Sequence, residues 1–254
     1  MNATDFVIVI PARFESTRLP GKVLADIHGR PMIEHVWHRA TASSARDVVI
    51  ATDSEQVLEA ARQFGAQAVM TGAHHNSGSD RIAETAQILN WDPEQLIVNL
   101  QGDEPEMPPA CLDQVAALLH DHPEAAAATL YWPCATPVEV RDPNVVKVVA
   151  NEAGDALYFS RSVLPWPRGF GSVDTAFEQG FRWLRHLGVY AYRRHSLMAF
   201  TERGPGRLET QERLEQLRFL ESGWRIQITQ SCMSIPAGVD TAEDLERVRA
   251  LTDI

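Results

Sequence analysis

The run of apolar residues near the start of the chain, Phe6-Val7-Ile8-Val9-Ile10, constrains the fold more than any other feature. Five consecutive apolar residues without polar alternation are typical of a parallel strand that is buried on both faces. The polar segment 10–22 follows directly, so it begins at the carboxyl edge of a sheet. Ligands of open α/β proteins bind along that edge, which makes this first loop a candidate binding site.

Strand-like and helix-like patterns alternate through the first seventy residues. Asp47–Thr52 and Ala68–Met70 resemble strands, and between them apolar residues recur at helical spacing until Gly65. A further strand is predicted at Leu96–Leu100. The order βαβαβ is typical of a parallel sheet with right-handed crossovers. We therefore predict an α/β fold whose first half is a doubly wound nucleotide-binding unit.

The first loop has the composition of a site for polyphosphate. It carries three cations separated by small residues: Arg13, Arg18 and Lys22, with Ser16, Thr17 and Gly21 between them. Small residues let the backbone approach a phosphate, and the cations offset its charge. The spacing matches neither the Walker pattern nor the dinucleotide fingerprint G-x-G-x-x-G. The alternative is a basic loop that is simply solvated.

The overall charge and the cysteines narrow the class of protein. The formal net charge is −11, which argues against general binding to nucleic acid or to an anionic membrane surface. The three cysteines are scattered and lack metal-ligand spacing, as expected in a reducing cytoplasm. No apolar run is long enough for a bilayer span, and no secretory leader is evident at the start. We therefore predict a cytoplasmic protein.

Two carboxylates are candidates for holding Mg²⁺ against phosphate oxygens. Asp103 follows the strand Leu96–Leu100, at the same sheet edge as the first loop. The alternative for Asp103 is to cap the next helix or its loop. Asp240 precedes the last helix, where Asp is usually an N-cap, but Thr241 and Asp244 form a capping box that leaves Asp240 available. Mg²⁺ typically takes one or two carboxylates together with substrate phosphates.

Other polar residues of the chain have ordinary structural explanations beside a functional one. For His74 and His75 with Asp80, a solvated pair is favoured over a metal site because no further ligand accompanies them. Ser79 or Asp80 is the predicted N-cap of the following helix. His186 and Tyr190 share one face of a predicted strand, either as a packed pair or as sugar ligands.

The second half of the chain is less regular. The segment from Pro165 to Gly180 is rich in Pro and Gly and is predicted to be a loop or arm. Residues 212–221 are predicted to form one helix, which would carry Glu212, Glu215 and Gln216. A solvated helix face is the default for those three side chains.

Eight segments taken together resemble one known family over essentially the whole chain. They are IPARFESTRLPGK (10–22), HNSGSDRIAE (75–84), VNLQGDEP (98–105), DPNVVKVV (142–149), ALYFSR (156–161), HLGVYAY (186–192), LEQLR (214–218) and GVDTAEDLERVR (238–249). In this order they are similar to the 3-deoxy-manno-octulosonate cytidylyltransferases. The first segment alone would fit several sugar nucleotidyltransferases, whereas the later ones are far more specific.

The resemblance implies a fold, an assembly and a reaction. The fold is a three-layer Rossmann-like nucleotidyltransferase fold with a predominantly parallel central sheet and a smaller dimerisation and sugar-binding subregion. Residues 1–254 would form a single domain, with a nucleotide-binding half (1–125) and a sugar-binding, dimer-forming half (126–254). The implied reaction joins CTP and 3-deoxy-D-manno-octulosonate (Kdo) into CMP-Kdo and pyrophosphate for lipopolysaccharide synthesis. The implied protein is a homodimer that uses Mg²⁺.

The resemblance also implies roles for individual residues. The triphosphate would be held by Arg13, Ser16, Arg18 and Lys22. The cytosine would be contacted around Ala12, Ser77 and Gly78, with Arg81 nearby and Gln101 facing the ribose and base. Asp103 and Asp240 would bind Mg²⁺ and, with Lys22 and Arg18, carry the catalysis. The Kdo pocket would be lined by Arg161, His186, Tyr190, Glu215 and Gln216.

Departures from the family pattern are few, and alternatives remain at the level of the sugar. Phe14 and Glu15 differ from the family pattern inside the first loop, next to the phosphate-binding positions. Residues 169–181 match the family poorly, which leaves the dimer arm in doubt. A related enzyme that uses 8-amino-Kdo shares most of the motifs. A sialic-acid cytidylyltransferase, a sugar-1-phosphate nucleotidyltransferase and a non-catalytic nucleotide-binding regulator are the competing classes. Retention of Lys22, Asp103 and Asp240 together disfavours the regulator.

Overall fold

The structure, a computed structural model, describes residues 4–15, 19–75 and 77–251. Its strands are β1 (Phe6–Ala12), β2 (Asp26–Ile27), β3 (Arg30–Pro31), β4 (Asp47–Thr52), β5 (Gln67–Met70), β6 (Leu96–Asn99), β7 (Ala127–Pro133), β8 (Lys147–Ala150), β9 (Ala156–Ser160), β10 (Leu184–Arg193) and β11 (Ile226–Gln230). Its α-helices are α1 (Met32–Thr41), α2 (Glu55–Gln63), α3 (Gly78–Ile88), α4 (Pro109–Asp121), α5 (Pro137–Arg141), α6 (Val173–Glu178), α7 (Arg194–Thr201), α8 (Arg207–Glu212), α9 (Leu217–Glu221) and α10 (Ala242–Arg249).

One large sheet contains strands from both halves of the chain, in the order β11-β7-β10-β6-β1-β4-β5. β1 pairs in parallel with β4 and with β6, and β11 pairs in parallel with β7. β10 is antiparallel to its neighbours β6 and β7, and it also pairs with β8, which carries β9. The mainly parallel α/β sheet that the sequence predicted is therefore confirmed.

The alternation of side chains along β1 defines three layers. Phe6, Ile8 and Ile10 face one apolar core together with residues of α1, α2 and α4. Val7 and Val9 face a second core together with residues of α3, α7 and α9. Successive residues of a strand point to opposite faces, so an unbroken apolar run requires helices on both sides.

The strand order places the predicted site at the point where the chain reverses its direction of winding. From β1 the chain passes to β4 and β5 on one side, and then returns to β6 on the other side of β1. The loops after β1 and β6 therefore lie side by side at the carboxyl edge, where α/β sheets bind ligands. The close approach explains Gly102, since a Cβ there would lie 2.9 Å from the Pro11 carbonyl oxygen.

The last helix, α10, packs near this edge of the sheet although it is distant from β1 in the sequence. Leu245 and Val248 of α10 pack with Val239, Ile27 and Met32 in a small separate core. Ile27 belongs to the β2–β3 hairpin, which follows directly on a 3-10 turn at Lys22–Leu24. This packing brings the segment before α10 beside the first loop. The predicted capping box is confirmed: the Thr241 hydroxyl accepts from the Asp244 N–H, and Asp244 accepts from the Thr241 N–H.

Three sequence predictions about local structure are wrong. The N-cap of α3 is Ser77, whose hydroxyl accepts a hydrogen bond from the Asp80 N–H, and not Ser79 or Asp80. The segment from Pro165 to Gly180 contains a helix, α6, with Ser172 as its N-cap. Residues 212–221 do not form one helix, because the chain turns at Arg213 with φ 53° between α8 and α9. Glu212 ends α8, whereas Glu215 and Gln216 lie in the turn.

Among the described residues, none of the helices combines the length and the apolar character needed to cross a membrane.

Candidate active site

The side chain of Lys22 lies between two carboxylates at the carboxyl edge of the sheet. Its Nζ is 2.5 Å from Asp103 Oδ2 and 3.0 Å from Asp240 Oδ1, and it donates to the Val239 carbonyl oxygen over 3.2 Å. Burial opposes the charge on Lys22, but the carboxylates of Asp103 and Asp240 raise its pKa above the usual value. The lysine therefore stays protonated, and the three groups predicted from separate motifs form one ionic cluster.

The backbone holds Asp103 and Asp240 together independently of Lys22. The Val239 N–H donates to the Asp103 carbonyl oxygen over 2.8 Å. A Cβ on Gly238 would lie 3.1 Å from that same oxygen. The segment before Asp240 therefore approaches the Asp103 backbone so closely that glycine fits best there. The N–H of Asp240 donates to Asp244 Oδ2 over 3.1 Å. Here we call Asp103 and Asp240 the carboxylate pair.

The carboxylate pair fits the coordination chemistry of Mg²⁺. Two carboxylates from distant segments converge on one point, and Mg²⁺ takes few protein ligands when phosphates and water supply the rest. Within residues 4–15, 19–75 and 77–251, no group of three or more His, Cys, Asp or Glu side chains could hold a metal. The His74–His75 loop has another arrangement: His75 Nε2 hydrogen-bonds to Glu84 Oε2, which also accepts from the Gly72 N–H.

Glu104, which the sequence analysis did not single out, adjoins the carboxylate pair. Burial raises the pKa of its carboxyl group to about 8, and the neighbouring Asp103 contributes in the same direction. Its Oε2 atom is buried and has no hydrogen-bond partner among the described residues. Glu104 therefore keeps its proton at neutral pH and does not add a third negative charge beside Asp103.

A cavity of about 320 Å³ opens beside the ionic cluster. Its lining includes the predicted residues Arg13, Lys22, Gly78, Arg81, Gln101, Asp103 and Asp240. Ala12 is buried at the end of β1, where it pairs with Thr52 of β4. Ser16 and Arg18, the other two predicted triphosphate ligands, lie outside the described residues. Lys22, Arg13 and the carboxylate pair thus give this cavity both cations for phosphate and ligands for a metal.

Arg81 is fully buried in the wall of this cavity. Its guanidinium donates to Asp53 Oδ2 over 2.6 Å and to Thr71 Oγ1 over 2.5 Å. The Nε atom is buried without a hydrogen-bond partner among the described residues. Asp53 and Thr71 follow β4 and β5, so Arg81 joins the ends of these strands to α3. The structure thus places Arg81 beside the predicted nucleotide position, as part of the wall.

A second cavity, of about 380 Å³, adjoins the first. It contains four of the five residues predicted to line a sugar pocket: His186, Tyr190, Glu215 and Gln216. Ser77 also lines it, and Arg13, Gly78 and Gln101 line both cavities. The amide of Gln101 is positioned by Asn99 Oδ1, which lies 3.2 Å from its Nε2. Two ligands bound in these cavities would therefore meet near Gln101 and Gly78.

The second cavity is lined by several buried hydrogen-bonding groups in addition to the cations Arg13 and Arg213. Burial lowers the pKa of His186 to about 3, so the imidazole is uncharged, and its ring centroid lies 5.3 Å from that of Tyr190. Burial raises the pKa of Tyr190, whose hydroxyl has no hydrogen-bond partner among the described residues. Burial also raises the pKa of Glu215, which accepts from Ser79 Oγ over 3.1 Å. Such groups suit the hydroxyls of a sugar.

Arg161, the fifth predicted sugar ligand, is not part of either cavity lining. Its guanidinium donates to the carbonyl oxygens of Glu212 over 2.7 Å, Pro143 over 2.9 Å and Arg213 over 3.4 Å. Glu212 in turn accepts from the Ser160 hydroxyl and the Arg161 N–H. In this structure Arg161 therefore holds the turn that carries Glu215 and Gln216.

Several residues of the second cavity were missed by the sequence analysis. Arg213, Asn99 and Tyr192 all line it. Arg213 lies in a segment that the sequence predicted to be helical but that forms a turn. The direction of its side chain could therefore not be inferred from the sequence. Asn99 and Tyr192 lie at positions that the sequence suggested only as strand residues. The strand-end position of Asn99, two residues before Gln101, is the one signal that pointed toward this edge.

Comparison with known proteins identifies the family of this chain. A family model described as cytidylyltransferase matches residues 7–228. The chain belongs to the cytidylyltransferase family. The fold of this family is the mixed α/β nucleotidyltransferase fold seen here, as predicted.

Individual cytidylyltransferases are similar over nearly the full length. A 3-deoxy-manno-octulosonate cytidylyltransferase from Pseudomonas fluorescens (strain SBW25) is 51% identical over 249 residues, 98% of each chain. One of the same name from Thioalkalivibrio sulfidiphilus (strain HL-EbGR7) is 51% identical over 248 residues, 97% of this chain and 98% of the relative. The structure of CMP:2-keto-3-deoxy-manno-octonic acid synthetase complexed with CTP has TM-score 0.88 and 41% identity, covering 97% of both chains. A cytidylyltransferase from Leptospira borgpetersenii, 18% identical with TM-score 0.61, shares the fold.

Proposed function

We propose that this chain transfers CMP from CTP to Kdo, giving CMP-Kdo and pyrophosphate for lipopolysaccharide synthesis. The observation that supports this most directly is the contact between the two cavities. One has Lys22, Arg13 and the carboxylate pair, which suit a triphosphate and a metal. The other has His186, Tyr190, Glu215 and Gln216, which suit sugar hydroxyls. Relatives about half identical to this chain carry the name of that activity.

In the proposed reaction the anomeric hydroxyl of the sugar attacks the α-phosphorus of CTP and pyrophosphate leaves. Such transfers depend mainly on positioning and on stabilising charge. Arg13 and Lys22 offset the charge of the triphosphate, and Gln101 and Gly78 border the place where both substrates meet. Glu215 and Tyr190 hold the sugar through its hydroxyls. Mg²⁺ held by the carboxylate pair would supply further charge neutralisation on the phosphates.

Three further parts of the proposal concern the location of the enzyme, its metal ligands and its oligomeric state. We place it in the cytoplasm, where CTP is available, and we infer that Asp103 and Asp240 are its Mg²⁺ ligands. We also infer a homodimer formed through the second half of the chain. Support comes from large apolar side chains at the surface of that half, where Val138 is 71% and Trp166 is 60% exposed.

The test is pyrophosphate release with CTP, Mg²⁺ and a panel of acceptors. The panel contains Kdo, 8-amino-Kdo, sialic acid and hexose 1-phosphates. We expect release with Kdo. Release only with another acceptor would keep the nucleotide site and refute the assigned sugar, and CTP binding without release for any acceptor would favour a regulator.

A further inference from the structure

We propose that Lys22 is an exchangeable counter-ion of the carboxylate pair: its ammonium group occupies the pair in the nucleotide-free protein and leaves when a triphosphate arrives. This inference rests on the proposed function, because the triphosphate is the anion that draws Lys22 away. It assigns Lys22 a second role besides phosphate binding. That role is to make metal binding depend on the nucleotide.

The hydrogen bonds of Lys22 are the first step of the argument. A lysine ammonium has three N–H donors and no acceptor. In this structure Nζ makes three contacts, with Asp103 Oδ2, Asp240 Oδ1 and the Val239 carbonyl oxygen. No N–H therefore remains for a phosphate oxygen. Lys22 can bind a triphosphate only by giving up at least one of these partners.

The second step is that the carboxylate pair does not need Lys22 to stay in place. Asp103 and Asp240 are joined through the hydrogen bond from the Val239 N–H to the Asp103 carbonyl oxygen and through the packing of Gly238 against Asp103. Asp240 is also held from the other side by Asp244. When the ammonium leaves, the two carboxylates stay close together and lose one nearby positive charge, which raises their affinity for a divalent cation.

The third step is access. The side chain of Lys22 is 13% exposed, whereas those of Asp103 and Asp240 are 26% and 44% exposed. Lys22 is thus the most buried of the three, and all three residues line the cavity of about 320 Å³. An anion that enters this cavity can pair with Lys22, and a cation can reach the more exposed carboxylates. Metal and triphosphate should therefore each promote binding of the other, since such coupling is reciprocal.

The decisive experiment is binding of Mn²⁺, as a spectroscopic probe for Mg²⁺, to the nucleotide-free protein. Free Mn²⁺ is followed by electron paramagnetic resonance, so no enzymatic turnover is needed. We expect Lys22→Met to bind Mn²⁺ about tenfold or more tightly than the wild type, the effect of removing one charge-assisted contact. In Lys22→Met/Asp103→Asn the gain should disappear. Arg62→Met, which removes one exposed positive charge elsewhere, is the matched control and should resemble the wild type.

A second measurement follows Lys22 itself and keeps the proposal testable if Lys22→Met does not fold. The chain has two lysines, Lys22 and Lys147, so a protein labelled with ¹⁵N at Nζ gives two side-chain signals. We expect inorganic tripolyphosphate, added with a chelator, to shift the Lys22 signal and to leave that of buried Lys147 unchanged. Mg²⁺ without phosphate should leave both unchanged at the same concentration.

Two results would overturn the proposal. One is equal Mn²⁺ affinity, within twofold, for wild type and Lys22→Met. The other is displacement of the Lys22 signal by Mg²⁺ alone. Neither result depends on pyrophosphate release, so the enzyme can have the proposed activity without this exchange, and the exchange can occur in a protein that uses another sugar.

Discussion

Glu215 is a buried carboxyl group in the lining of the second cavity, which we propose binds the sugar. Its carboxyl group lines that cavity, accepts from Ser79 Oγ over 3.1 Å, and has a pKa raised by burial. A buried carboxyl group that faces an open cavity is available to accept from sugar hydroxyls. A change there should affect one substrate and spare the other.

We predict that Glu215→Gln raises the KM for the sugar without a comparable change in the KM for CTP. The loss of one hydrogen bond to a sugar hydroxyl corresponds to a factor of about 10. Steady-state kinetics with each substrate varied in turn would measure it. Glu178→Gln, at an exposed position, is the control. Equal increases in both KM values would instead indicate a general disturbance of the site.

The lowered pKa of His186 predicts that the stability of the protein falls in acid. Its pKa is about 3 in the folded protein because of burial, and about 6.5 in an unfolded chain. As the pH falls below about 6.5, the unfolded state takes up a proton that the folded state does not. This contribution is therefore present at neutral pH and is lost as the pH falls.

We predict that His186→Gln loses less stability than the wild type between pH 7 and pH 5. The expected difference in the free energy of unfolding is about 1 kcal/mol, below the full linkage value because the ring borders a cavity. Urea denaturation of both proteins at the two pH values would measure it. A parallel change in both proteins would show that another group causes the acid sensitivity.

At the scale of elements, helices α8 and α9 flank the turn that lines the second cavity. Arg218 of α9 forms two hydrogen bonds with Glu209 of α8, of 2.6 and 2.7 Å. The same guanidinium donates to the carbonyl oxygens of Phe200 and Arg203, at the end of α7 and just beyond it. The Arg218 guanidinium thus connects three helices around the turn that carries Glu215, through its buried ion pair with Glu209 and its bonds to the end of α7.

We predict that Arg218→Met lowers the free energy of unfolding by about 3–5 kcal/mol, because it leaves the Glu209 carboxylate buried without its partner. Glu209→Gln/Arg218→Met should recover part of this loss, since no isolated charge remains. Thermal and denaturant unfolding of the wild type and both variants would test this. A double variant that is less stable than Arg218→Met would contradict the explanation.

At the scale of the whole molecule, the second half has a small core of its own and an apolar surface. Val140, Val173 and Trp183 belong to that core, and the indole N–H of Trp183 donates to the Pro165 carbonyl oxygen. Val138 and Trp166, nearby in sequence, are mostly exposed. Exposed large apolar side chains in one subregion are typical of a contact surface between proteins.

We predict that Trp166→Glu shifts the protein from dimer to monomer. A charge at this position would have to be buried in the contact, whereas it is solvated in the monomer. Light scattering coupled to size-exclusion chromatography gives the mass directly. Ile88→Glu, another exposed apolar position but in the first half, is the matched control and should leave the mass unchanged. A wild type with the mass of one chain would refute the dimer.

The candidate residues of the ionic cluster could be predicted because their signals are local. A strand that is apolar on both faces and then ends in charged residues predicts where Lys22 and Asp103 lie. A complete capping box at Thr241 and Asp244 predicts that Asp240 is available for another role. The structure places these three residues in contact.

The sugar side could be predicted less well because its signals are long-range. The spacing of Leu214, Leu217 and Leu220 is helical, but Arg213 turns the chain with φ 53°. The turn is held by hydrogen bonds from Arg161, about fifty residues earlier, and by the ion pair between Arg218 and Glu209. No pattern within the segment itself contains this information.

The sequence by itself determined the parallel α/β class and pointed to Lys22, Asp103 and Asp240 as candidate site residues, because hydrophobic period and capping chemistry act over a few residues. Only the tertiary structure decided that Lys22 occupies the carboxylate pair and that Arg161 hydrogen-bonds to the turn at Glu212 and Arg213, outside the linings of the two adjoining cavities. Those outcomes depend on which distant donors and acceptors the packing of β6, α8 and α10 brings within hydrogen-bond distance.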